Sequence, residues 1–153
     1  MRAPIILLAP VVALYQIQTV AADVSEKQCV FEAASKVPKL PGLAITAVKA
    51  DRISASTAIA YYAKTANYHQ SKKILNHFGA LSVRTEERLR TFLLNGLPTE
   101  VAETFRASIK PTISGAYNVK ITVSAIKRTA VFDGICLLGK HGRSYIENVK
   151  LSQ

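Results

Sequence analysis

The stretch Ala116–Leu138, AYNVKITVSAIKRTAVFDGICLL, decides the fold class. In its first half Tyr117, Val119, Ile121, Val123 and Ala125 alternate with Asn118, Lys120, Thr122 and Ser124. A period of two sends these sets to opposite faces, which is the pattern of a half-buried strand and not of a helix. In its second half Asp133-Gly134 stands between two apolar runs, and Asp-Gly is among the strongest short-range hairpin signals, so a turn is expected there. A further turn at GKHG, residues 139–142, and the run RSYIENVKL, residues 143–151, predict one more strand.

Upstream of this stretch the period changes to that of helices. Ser25 with Gln28 three residues on has the form of a capping box, followed by helix formers as far as Pro38. Pro38, Pro41 and Gly42 then break the chain, and the apolar segment up to Ser54 reads equally as a buried strand or a short helix. From Ser56 to Phe78 no Gly or Pro occurs, and Ile59, Tyr62, Ala63, Ala66, Ile74 and Phe78 recur at helical spacing, so one long helix ending at Gly79 is expected. Tyr61, Tyr62 and Tyr68 read as residues on the border of core and solvent.

A helix over Thr85–Leu94 has Thr85 as cap, Glu86 and Glu87 in the first turn, an apolar face of Leu89, Phe92 and Leu93, and a stop at Asn95-Gly96. Another follows Pro98 with Val101, Phe105 and Ile109 repeating every four residues until Pro111. The chain thus reads as α+β, N-terminal helices followed by a C-terminal antiparallel β-hairpin or meander.

Met1 and Arg2 precede an uncharged run whose apolar core, Ile5–Leu14, is too short for a ~30 Å hydrocarbon layer, and Val20 and Ala22 supply small residues for cleavage. Residues 1–22 read as a secretory signal peptide. Removing them from the 153 residues leaves 131, one compact domain over 23–153, and losing Arg2 takes the net charge from +10 to +9. Such a surface favours anionic partners. Cys29 and Cys136 lie near opposite ends of this domain. They either close a long loop as a disulfide, worth ~3–5 kcal/mol in the chain-entropy model, or stay as two buried thiols.

The motifs of several enzyme classes are missing: no Gly-rich phosphate loop, HExxH, GxSxG or CxxC occurs. His69, His77 and His141 have no metal-ligand spacing with each other or with a cysteine, and Glu86 and Glu87 point about 100° apart on a helix, so they cannot flank one bond. No catalytic residue, metal or cofactor is expected. The weak exception is a hydrolase built on Cys136 with His141. Lys72-Lys73, Arg84, Arg88, Arg90 and Lys127-Arg128 form no single stripe, and no specific nucleic acid is expected.

A signal peptide, a spacer, the tetrapeptide Lys73-Ile74-Leu75-Asn76 and then Thr85-Glu86-Glu87-Arg88 together resemble the RxLR-dEER type of oomycete secreted effector. Lys73 and Asn76 replace the two arginines and Thr85 the usual aspartate, so the motif is degenerate. On this resemblance 23–72 is an N-terminal helical segment, 73–88 the host-targeting motif and 89–153 the effector module. The resemblance implies delivery into plant host cells, a protein partner there, and suppression of immunity and defence-associated cell death, with nucleus and cytoplasm as destination. It implies no enzyme. It also implies anionic phospholipid contact through the motif, for which a basic segment near a charged head group supplies about 1 kcal/mol per Lys or Arg. The rival is an extracellular disulfide-linked binding or inhibitor domain.

Overall fold

The structure, a computed structural model, describes residues 25–147 and 149–152, so the signal-peptide reading over 1–22 lies outside it. The chain runs α1 (25–35), β1 (Ala44–Ile53), α2 (Ala55–Thr65), α3 (Tyr68–His77), α4 (Val83–Leu94), α5 (Pro98–Ile109), a 3-10 turn (Lys110–Thr112), β2 (Ile113–Ala125), β3 (Arg128–Gly139), β4 (Ser144–Ile146) and β5 (Lys150–Leu151). The fold is α+β, as the change of period from helical to alternating requires. The helices do not all come first, however. The undecided segment before Ser54 is strand β1, which pairs antiparallel with β2 although four helices separate the two in sequence.

The sheet order is β1-β2-β3-β4, with β5 also paired to β3. The alternation read in β2 is obeyed: Tyr117, Val119, Ile121 and Val123 are buried. They face α1, whose Cys29 and Ala33, with Val37 just beyond, close that side together with Cys136 and Ile146. Ser25 is the first described residue and is helical.

On the opposite face, among the described residues, only one end of the sheet is covered. Ala116, Leu137 and Tyr145 pack under α2–α5, against Tyr62, Ile74, Leu75, Phe105 and Ile109. Burying each such large apolar side chain contributes about 1.5–3 kcal/mol.

The hairpin turn is not at Asp133-Gly134. Val119 pairs with Gly134 and Lys120 with Asp133 in the middle of a continuous β2–β3 ladder, and the chain reverses instead at Ile126-Lys127, between Ala125 and Arg128. Packing explains the difference. A Cβ on Gly134 would lie 3.0 Å from Ile146 Cδ1 and 3.1 Å from Val149 Cγ2, so this glycine answers the close passage of the β4–β5 segment over mid-strand. The turn is made at the cost of a left-handed backbone at Lys127, φ 70°.

The helix expected over Ser56–Phe78 is two helices. Asn67 interrupts it: its side chain accepts from Gln70 N at 2.9 Å while its own N–H donates to Gln70 Oε1 at 3.1 Å, a full capping box that starts α3. α3 ends as expected at Gly79, φ +70°, where Ala80 N–H donates to Leu75 O and Gly79 N–H to Asn76 O. α4 begins two residues before Thr85, because the cap is Ser82, whose Oγ accepts from Thr85 N at 3.1 Å. Its stop at Asn95-Gly96 is as read, while α5 includes Pro98 as its first residue and gives way after Ile109 to the 3-10 turn that contains Pro111.

Two substitutions check this local physics with opposite signs. Asn67→Ala should lower stability by about 1 kcal/mol through loss of the cap. Lys127→Gly should raise it by up to about 1 kcal/mol by relieving the left-handed strain, net of glycine's entropy. Urea unfolding of both variants measures the two effects.

Candidate functional site

The residues of the tetrapeptide separate as soon as α3 docks. Ile74 and Leu75 are 1% and 0% exposed, part of the core, whereas Lys73 and Asn76 face outward. This follows from helical spacing: four consecutive residues sweep most of one turn, so two of them must point inward.

Among TEER, Glu86 accepts from Lys72 Nζ at 2.7 Å across the α3–α4 joint and sits 3.4 Å from Arg90. The Lys72 hydrogen bond holds its carboxyl below the ordinary carboxylate range. The stabilisation from this pair is therefore present above that range and lost as pH falls through the lowered value. Glu87 is exposed, and Arg88 lies over the Phe92 ring, 5.9 Å from its centroid. The ion pair that links α3 to this segment is made by Lys72, which neither tetrapeptide contains.

Lys73 opens instead onto a cleft between α1, α3 and β4, with a volume of about 330 Å³. Glu32 and Ser35 of α1, with Lys36 just past its end, form one wall and Lys73 and His77 of α3 the other, with Ser144, Tyr145 and Glu147 along the floor. The wall on α1 is held from two points. Cys29 is joined to Cys136 of β3, and less than one turn later Glu32 Oε1 accepts from Ser144 Oγ at 2.6 Å. The wall on α3 is held by His77 Nε2, 2.7 Å from the Ser144 carbonyl. A carbonyl only accepts, so Nε2 carries the proton. Arg143 Nη1 also donates to the His77 carbonyl, at 2.8 Å.

The floor is a chain of hydroxyls. Tyr62 OH donates to Ile135 O at 2.5 Å and accepts from Glu147 N, while Tyr145 OH donates to the Glu147 carboxylate, which also lies 3.5 Å from Lys73 Nζ. Burial raises the pKa of Tyr62, and that of Tyr145 is raised first by burial and then by its bond to Glu147. Both rings pack edge-on, 6.0 Å apart.

Both carboxylates of the cleft already have donors, while Lys36, which also lines it, has no ion-pair partner among the described residues. The Ser144 hydroxyl points to Glu32 and not to the imidazole, so Ser144 and His77 do not form a nucleophile with its base.

The pair nominated for hydrolysis is not assembled either. Cys136 is fully buried with its sulfur bonded to Cys29, and His141 lies exposed in the β3–β4 turn. No group of three metal-binding side chains occurs among the described residues. Tyr61 and Tyr68 lie at the edge of the core as read, but Tyr62 is buried for its hydroxyl. Glu32, Ser144, Tyr145 and Glu147 went unread, because they come from segments 112 residues apart that only the disulfide and the β3–β4 pairing bring together.

Raised tyrosine pKa values favour the fold below the ordinary tyrosine value of 10.0, and that contribution is lost as pH rises through the folded values. In alkaline titration followed by phenolate absorbance, Tyr62 and Tyr145 should ionise only as the fold is lost. Free ionisation of both with the circular dichroism intact would contradict the hydroxyl chain.

Compared with known proteins, this chain matches no family model, no curated protein and no solved structure, and its function must be read from its own residues.

Proposed function

We propose that the chain is a secreted pathogen effector similar to the RxLR-dEER type, delivered into plant host cells and acting there by binding a host protein to suppress immunity and defence-associated cell death. The observation that supports the secreted half is the Cys29–Cys136 bridge, which closes 107 residues. Bridges of this kind persist in oxidising compartments, and in the chain-entropy model this one contributes about 5 kcal/mol. A short apolar leader before it fits the same route.

For the host-targeting half, the folded motif offers Lys73 and Asn76 to a partner but keeps Ile74 and Leu75 inside. A receptor or phospholipid would meet the domain through Lys73 and the cleft it opens on. Reading all four residues as an extended peptide would require α3 to unfold.

The bridge also favours a second reading, an extracellular disulfide-linked binding or inhibitor domain that never enters a cell. The reducing cytosol and nucleus work against a structural disulfide.

Residues 23–153 expressed inside plant cells decide between the two. The effector reading expects weakening of a triggered cell-death response and recovery of a host protein with the chain. An inert chain whose thiols are titratable in the recovered protein, beside a bridged and host-binding form of the secreted protein outside cells, would establish the extracellular reading instead.

A further inference from the structure

Among the described residues, nothing packs over the sheet face away from α1 beyond the helix-covered end, and the register of four strands sets one charged row across it. Lys49 of β1 pairs with Lys120 of β2, Lys120 with Asp133 of β3, and Asp133 with Lys150 of β5. All four side chains project to the same face, because Val119 and Ile121 on either side of Lys120 are buried toward α1. Lys49, Lys120 and Lys150 are exposed, and among the described residues Lys120 and Lys150 have no ion-pair partner. Lys49 reaches only Asp51 on its own strand, at 3.7 Å. Like charges directly opposite on a sheet repel, and with Asp133 as its one acid the row keeps three positive charges to one negative, which favours an anionic partner.

We propose that this open half of the sheet is the docking surface for an acidic segment of a partner protein. The proposal rests on the binding half of the function proposed above and names the surface and the chemistry of its partner. With strands about 4.8 Å apart, Lys49 and Lys150 stand roughly 14 Å from each other. Acidic residues at i and i+4 of an extended peptide, at about 3.4 Å per residue, span the same distance.

Asp133 within the row and Asp51 beside it select against a uniformly charged polymer. A polypeptide can set a neutral or basic residue opposite them, whereas a nucleic-acid backbone cannot. Thr122, Ser124 and Thr129 on the same half supply hydroxyls to hydrogen-bond a peptide and no aromatic ring to stack a base.

The experiment uses the secreted protein with its disulfide intact and a fluorescent oligoglutamate peptide as probe, followed by anisotropy at low and at physiological salt. Replacing Lys49, Lys120 and Lys150 together by Glu should weaken binding more than tenfold. The same reversal at Lys27, Lys64 and Lys110, outside the row, should weaken it less than threefold. Amide shifts at Thr122 and Thr129 on adding peptide to the unaltered protein provide a readout that needs no variant.

Equal losses from the two triple variants would mean that net charge alone binds, and would overturn the proposal. So would tighter, row-dependent binding of a charge-matched single-stranded oligonucleotide or of phosphatidylserine vesicles. A protein that suppresses plant cell death with an inert row would retain the effector reading and lose this one. Row-dependent peptide binding without any effect in plant cells would do the reverse.

Discussion

The Cys29–Cys136 bridge is the constraint on which the two-sided architecture depends. Among the described residues one face of the sheet is closed chiefly by α1, which covers it with small side chains, Cys29 and Ala33, with Val37 beyond its end. Three such side chains bury little apolar area to set against the entropy of ordering a separate helix. A covalent link to the centre of the sheet removes much of that entropy in advance. It also places Glu32 beside Ser144, so the bridge that keeps Tyr117, Val119 and Ile121 dry builds one wall of the cleft as well.

The other face follows a different rule. Four helices, α2 to α5, fold between β1 and β2 and cover only the end of the sheet from which they leave, where Ala116, Leu137 and Tyr145 lie. The remaining half carries polar rows and is left open. The molecule thus offers two unlike surfaces: a cleft at the joint of α1, α3 and β4, and a flat charged sheet face beyond the helices. A cleft of that size suits a side chain or head group, while a flat face suits a length of polypeptide.

The segment from Lys73 to Arg88 is accounted for by its place in the fold. Its helical logic is complete: a core pair at Ile74 and Leu75, a glycine stop at Gly79, a cap at Ser82, and an acidic first turn whose Glu86 bridges back to α3. Each feature has a structural cause, so an address must use what the fold leaves outside, chiefly Lys73. That residue faces both solvent and Glu147, which ties the outer end of the motif to the buried tyrosine pair.

Local chemistry made much of the fold legible. Alternation identified β2, four-residue spacing identified α5, and the glycines at 79 and 96 stopped their helices, because each of these depends on residues within a turn or two of one another. The break at Asn67 was legible in principle, since Asn67 and Gln70 are in capping-box spacing; an unbroken run of good helix formers outweighed it. The misplaced hairpin is of another kind. Asp133-Gly134 has the form of a turn, yet Gly134 is small because Ile146 and Val149 cross it, and those neighbours are set by strand pairing alone. The same holds for β1, whose exposed residues carry no clean alternation and which is a strand because β2 lies beside it. The sequence by itself determined most of the elements, because helical spacing, alternation and caps act between near neighbours in the chain. Only the tertiary structure decided that the cysteines are joined, that Glu32 meets Ser144, and that three scattered lysines stand in one row, because these depend on register and docking between segments up to 112 residues apart.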